Sequence, residues 1–140
     1  MIIRTLLLLF FFYFSYSLKG QVSSCISKLD SLTGLTIYEN CEVGATPKLG
    51  FNNFYKSIGK TINFSSDIKK ITLDPKIFIG LIINENSEVS DIRVLYGSMS
   101  MISNKEMVLD LLKNTEWSPA VCSGKMVNSL VIIPITICLK

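Results

Sequence analysis

The chain has 140 residues, 49% of them apolar, with 14 basic and 11 acidic side chains and a formal charge of +3. That length suits one domain and leaves no room for two ordinary cores. The near balance of charge gives no electrostatic footprint for nucleic acid, whose binding rests on clustered Lys and Arg.

The first twenty residues read as a secretory signal. Arg4 supplies the positive start, Leu6 to Phe14 form an unbroken apolar run, and Ser15 to Gly20 turn small and polar. This matches the three-part pattern of export signals. The run falls short of the roughly 20 apolar residues a spanning helix needs. Cleavage is expected after Gly20, leaving Gln21 first; losing Arg4 and Lys19 takes the 14 basic residues to 12 against 11 acidic ones. Two alternatives stay open, an uncleaved marginal anchor and a lipoprotein. In the second, Val22-Ser23-Ser24-Cys25 acts as a lipobox and Cys25 carries the lipid. The protein would touch a membrane only in these two cases.

Four cysteines follow, Cys25, Cys41, Cys122 and Cys138. An even count in an exported chain points to two disulfides with three possible pairings. Nearness along the chain favours Cys25 with Cys41, and reduced, buried cysteines are the other reading. No CxxC pair and no histidine occurs, so no metal site is expected.

Residues 21–46 form an N-terminal extension, in which Ile26, Leu29 and Leu32 suggest a short amphipathic helical turn stopped by Gly34. The domain proper is set at 47–140. Thr46 with Pro47 reads as a helix start. Phe51, Phe54, Tyr55, Ile58 and Ile62 then recur at helical spacing, which predicts a helix over 48–62. Ile77 to Ile83 is apolar on both faces and reads as a central strand. The Asn84–Glu88 segment has turn chemistry, and Val89 to Tyr96 returns with Ile92, Val94 and Tyr96 on one side, opposite Asp91 and Arg93.

Ser103 and Glu106 have capping-box spacing ahead of a helix over 104–114, with Val108, Leu111 and Leu112 as its apolar stripe. Ser123-Gly124-Lys125 is a turn. The chain closes on a strand from Val127 to Leu139, with Val131, Ile133, Ile135, Ile137 and Leu139 on one face. Pro134 cannot donate to a ladder, so it marks an edge or a bulge. The expected fold is therefore α+β, in α-β-β-α-β order: a three-stranded antiparallel sheet with two helices packed on one face, strand 77–83 in the middle.

Catalytic chemistry is hard to find. Without histidine there is no Ser-His-Asp or Cys-His arrangement and no imidazole base. Ser57 and Lys60 have S-x-x-K spacing, but the companion elements of serine acyl-enzymes are missing. Asp67, Asp74, Glu85 and Glu88 are scattered over loops, and no phosphate-binding glycine motif occurs. The expectation is a protein that is not an enzyme and carries no catalytic, cofactor-binding or metal residues.

Four pieces of the last 64 residues stand in a telling order. They are IFIGLIINENSEVSDIRVLYG, then EMVLDLLKNTEWSPA, then CSGKMVN followed by VIIPITI. Strand, polar turn, strand ending in Gly, helix leading into W-x-P-A, a turn, and a last strand with a central proline: this succession resembles the C-terminal domain of TonB, the periplasmic energy transducer of Gram-negative envelopes. The resemblance implies contact and no catalysis. It implies that an extended peptide, such as the TonB box of an outer-membrane receptor, adds as a strand to the last strand, at Val131, Ile132, Ile133, Pro134, Ile135, Thr136 and Ile137. It also implies a periplasmic setting and a part in transmembrane transport, with a homodimer as a further arrangement. The leader has no histidine and the chain only 4 prolines, unlike the motor-coupled anchor and long Pro-rich span of full transducers. The second expected role, from another class, is a structural or lipid-anchored envelope component that uses the domain as a spacer or dimer unit.

Overall fold

The computed structural model describes residues 25–67 and 76–137. The leader, the cleavage point, residues 22–24 of the lipobox, Asp74, Cys138 and Leu139 lie outside them. Among the described residues the chain is mixed α/β, with two helices and several small antiparallel sheets.

The N-terminal extension departs from expectation. The helical turn expected over Ile26–Leu32 is instead a hairpin: β1 (Ile26–Leu29) pairs antiparallel with β2 (Thr36–Glu39). Ile26, Leu29 and Leu32 are all exposed, so their helical spacing has no apolar surface to meet. The loop closes on Asp30, whose carboxylate accepts from the Thr33 amide (3.0 Å) and hydroxyl (2.6 Å). Such side-chain bonds to nearby donors favour a turn over a helix. Gly34 completes it at φ +71°, a conformation glycine adopts without cost.

Thr46 and Pro47 do not start a helix either. They form β3 (Thr46–Pro47), paired with β6 (Trp117–Ser118). Helix α1 (Gly50–Thr61) begins after Leu49 and buries Phe54 and Ile58. Its face is extended by aromatic contacts, with the fully buried Trp117 ring 5.4 Å from Phe54 and 6.3 Å from Phe51, both edge-on.

The longest sheet is built on β4 (Lys76–Ile83), flanked by β5 (Val89–Tyr96) and β9 (Ser129–Thr136), in the order β5-β4-β9. The β4–β5 turn is organised by Asn84, whose side-chain oxygen accepts from the amides of Asn86 and Glu88. Ladder positions alternate between two faces. Ile77, Ile79, Leu81 and Ile83, with Ile133, Ile135 and Ile137, share one buried cluster with Phe54, Ile58, Val108 and Leu112 of the helices. Phe78, Gly80 and Ile82 face the other way, opposite Pro134, Ile132 and Leu130 of β9.

Strand β5 is not regular. Phe78 pairs with Tyr96 but Ile79 with Val94, so Leu95 is an inserted bulge residue. Tyr96 therefore leaves the side it was expected to share with Ile92 and Val94, and its ring lies 5.5 Å from Phe78. The Leu95 side chain packs closely over Gly80, where a Cβ would come within 3.1 Å of it.

Helix α2 (Lys105–Asn114) is present with Val108 and Leu112 buried, but the Ser103–Glu106 capping box is not. Ser103 and Asn104 serve the other helix's exit instead. The Asn104 amide donates to the Thr61 carbonyl (2.7 Å), its side-chain oxygen accepts from the Asn63 amide (2.8 Å), and the Ser103 hydroxyl donates to the Asn63 carbonyl. Beyond α2, β7 (Ala120–Cys122) and β8 (Lys125–Val127) make a hairpin across Ser123 and Gly124, both at positive φ. The last strand is shorter than expected, starting at Ser129 and ending at Thr136.

Candidate functional site

The seven residues expected to bind a partner lie along β9 and its end. Ile133, Ile135 and Ile137 point into the core; Ile132, Pro134 and Thr136 are exposed, and Val131 is half-buried. With β4 on one side, β9 has no ladder partner among the described strands on the other. Its first half is nonetheless flanked. A cavity of about 390 Å³ is lined by Ser129 to Ile132 on one wall and by Tyr38 to Cys41 with Ala45 on the other. No β4 residue lines it, so it lies beside the edge of β9 that faces away from the sheet.

Ser129 is 7% exposed, and its hydroxyl has no hydrogen-bond partner among the described residues. A buried hydroxyl without a partner is costly, and this one is closed off on the core side of β9, where Ser129 pairs with Ile83. The far wall is fixed by Asn128. Its carbonyl accepts from the Tyr38 amide (2.9 Å), its side-chain nitrogen donates to the Thr36 carbonyl (3.1 Å), and its side-chain oxygen accepts from the Glu85 amide (3.2 Å). One side chain thus ties β2 and the β4–β5 turn to the start of β9.

The tip of the β1–β2 hairpin is held by charge. Arg93 on β5 donates from both terminal nitrogens to the two oxygens of Asp30, at 2.9 and 2.8 Å, and from Nε to Asp91. Bidentate guanidinium–carboxylate pairing of this kind is strong and directional. Hydrogen bonds from Arg93 first, then from the Thr33 hydroxyl, hold the Asp30 carboxyl well below the usual carboxylate range. Arg93 is opposite Gly80, on the sheet face that carries Phe78 and Ile82, so the hairpin reaches over that face. Ile37 and Ile82 are buried without joining the main cluster.

Cysteine pairing differs from the expectation drawn from chain proximity. Cys25 is joined to Cys122, 97 residues on, with Cα atoms 6.1 Å apart. Residues 41–45 and β7 are bridged by Val43 and Val121, whose amides and carbonyls bond in both directions at 3.4 and 2.8 Å. That bridge brings Cys122 to the base of the hairpin, so nearness in sequence does not decide. Cys41 remains a free thiol, and the three sulfurs of Cys25, Cys41 and Cys122 lie within 4.8 Å of one another. With two of them bonded together, the trio offers one thiol and is not a ligand set in this state. Burial, then the neighbouring Glu42 carboxylate, push the Cys41 thiol up.

The S-x-x-K pair carries no activated nucleophile: the Ser57 hydroxyl donates to the Asn53 carbonyl of its own helix (3.0 Å). Ser57 also lines a second cavity of about 390 Å³ with Pro47, Phe54, Leu111 and Thr115, bordered by the exposed Lys48–Glu116 ion pair (3.1 Å). Among the described residues no helix is long and apolar enough to cross a membrane.

Sequence reasoning missed Asn128, the Asp30–Arg93 pair and the three-sulfur cluster. Each joins residues far apart in the chain, and only Arg93, charged like Asp91 in a strand that also carries Ile92, Val94 and Tyr96, gave a local signal. Comparison with family models, with curated proteins and with solved structures finds no match.

Proposed function

We propose that this chain is an exported, periplasmic protein-binding module that receives an extended peptide by strand addition along β9. The observation that carries the reading is the open ladder edge of β9, broken by Pro134 and bordered along its first half by the cavity between Ser129–Ile132 and Tyr38–Cys41. An edge strand offers unpaired backbone groups, and peptide recognition by strand addition uses them for affinity and neighbouring pockets for side chains. Pro134 removes one donor, which limits the registers an incoming strand can take. Within the same reading the domain is a two-layer α+β unit with both helices on one face of the β5-β4-β9 sheet. Sharing of the core by Phe54, Ile58, Val108 and Leu112 with Ile79, Leu81 and Ile133 supports this.

The resemblance of residues 77–140 to the TonB C-terminal domain names the partner class: a TonB-dependent receptor or another envelope protein presenting an extended segment. Use as a lipid-anchored spacer is the rival. A thioether-linked lipid and the Cys25–Cys122 disulfide need the same sulfur, so that pairing favours the binding module. The intact mass of the mature protein separates the two, since a diacyl increment at Cys25 demands the anchored form.

The test of strand addition is backbone protection. A photo-crosslinker at Thr136, exposed on β9, is compared with one at Asp110 on α2 in envelope extract. A peptide from the captured protein is then added during hydrogen exchange. Crosslinking specific to Thr136, with new protection of the β9 amides, is the expected result. Equal crosslinking at both positions, or binding that leaves β9 amides unprotected, overturns the proposal.

A further inference from the structure

Three sulfurs within 4.8 Å of one another, two joined and one free, make a reaction centre as well as a staple. The frame around them is uneven. Cys41 and Cys122 belong to segments bound together on either side. The Val43–Val121 bridge follows one, and the Glu42 carboxylate accepts from the Ser123 amide (3.0 Å) just past the other. Cys25 precedes β1, a strand whose four residues are all exposed. If one member of the trio is to move away, the surroundings select Cys25.

We propose that Cys41 is an exchange thiol that converts the Cys25–Cys122 disulfide into a Cys41–Cys122 disulfide and releases Cys25. The Cys41 thiolate attacks the Cys122 sulfur, a new S–S bond forms there, and the old bond breaks with its electron pair leaving on Cys25. The proton lost by Cys41 is matched by the one Cys25 takes up. One disulfide and one thiol exist before and after, so no oxidant or reductant is consumed. Exchange of this type needs the attacking group as thiolate and within reach of a disulfide sulfur. The packing supplies reach and withholds thiolate: burial and Glu42 both disfavour ionisation of Cys41. Exchange is therefore slowed at neutral pH and speeds up as pH rises. The consequence is a covalent switch at the hairpin's first strand, tied to β7 in one state and free at Cys25 in the other. It stands independently of peptide binding at β9.

Lys28, Lys48 and Lys125 put each of the four cysteines on its own tryptic peptide, so pairing can be read directly. The oxidised full-length protein is held at pH 7 and at pH 8.5, sampled over hours, quenched in acid, and its free thiols are blocked before digestion. Among Cys25, Cys41 and Cys122, the expected result is label on Cys41 alone at the start, then growing label on Cys25 and a growing Cys41–Cys122 cross-linked peptide. The rate should climb by about tenfold per pH unit while the thiol stays mostly protonated. Cys25→Ser should isolate with Cys41 and Cys122 joined, and Cys138→Ser should exchange like the wild type. Label that never appears on Cys25 at any time or pH overturns the proposal. So does a Cys25→Ser protein with both remaining thiols free, or loss of exchange in Cys138→Ser.

Discussion

Neighbouring residues on β9 should respond in opposite ways to substitution. Ile133 is fully buried opposite Ile79, while Ile132 is 53% exposed opposite Gly80. Ile133→Ala removes the equivalent of three buried carbons, about 2.5 kcal/mol at about 0.8 kcal/mol each. The space left among Ile79, Val108 and their neighbours adds roughly 1 kcal/mol, giving about 3–4 kcal/mol within the known range for such truncations. Ile132→Lys replaces a side chain that already meets water, and its cost should stay within about 0.5 kcal/mol. Urea unfolding followed by the fluorescence of Trp117, the one tryptophan and fully buried, reads both changes. With a urea slope of about 1.5–2 kcal/mol/M, Ile133→Ala should lower the midpoint by about 2 M and leave the slope alone. Ile132→Lys should leave the midpoint in place and weaken partner binding. A one-residue slip exchanges the faces of a strand. If Ile132→Lys unfolds the domain while Ile133→Ala is tolerated, the register and the proposed binding edge are both wrong.

Gly97 sits at φ +82°, and a Cβ there would run into the Lys76 carbonyl oxygen. Gly97→Ala should cost about 1–3 kcal/mol through left-handed strain and this clash, read as a lower midpoint in thermal melts. The Asp30 carboxyl is held below its ordinary range, so its protonation is resisted more in the folded chain than in the unfolded one. Its contribution to stability is therefore full above the unfolded value of about 4 and is lost as pH falls below it toward the depressed folded value. Asp30→Asn should lower stability at pH 6–7, and the gap to wild type in urea titrations should narrow on acidification below about pH 4; a gap that widens refutes the assignment. Asn128→Ala removes the bonds to Thr36 and Glu85 and should cost about 1–3 kcal/mol, with faster amide exchange in β2 than elsewhere.

The centre of the fold was legible where burial imposes a period. Ile77 to Ile83 has no polar residue and reads as a central strand, and that is its place between β5 and β9. Phe54 and Ile58, or Val108 and Leu112, recur at helical spacing and are buried on their helices. Legibility failed where two local rules compete. Ile26, Leu29 and Leu32 have helical spacing, but Asp30 and Thr33 bond to each other in a turn, and the turn wins because no surface covers a helix there. The Ser103–Glu106 spacing is that of a capping box, yet Ser103 is drawn to the Asn63 carbonyl across the chain. For β9, the proline left an edge or a bulge open, and nothing local showed that residues 38–45 would line half of it.

That last point changes what strand addition on β9 would require. The hairpin reaches over the sheet through Arg93, over the start of β9 through Asn128, and to β7 through Cys25. Only the last of these is covalent, and it is attached at the hairpin's most exposed strand. A peptide pairing with residues 133–137 meets an edge without a ladder partner among the described strands, whereas one extending back to Ser129 must enter the cavity against Tyr38 to Cys41. The two halves are then distinguishable by substitution. Disturbing the Asn128 anchor should weaken only peptides long enough to enter the cavity. A charge at Thr136 should weaken short and long peptides alike. Equal loss for both peptide lengths on Asn128→Ala, with the domain still folded, would mean that the hairpin steadies the whole edge and that the cavity is not where the peptide begins.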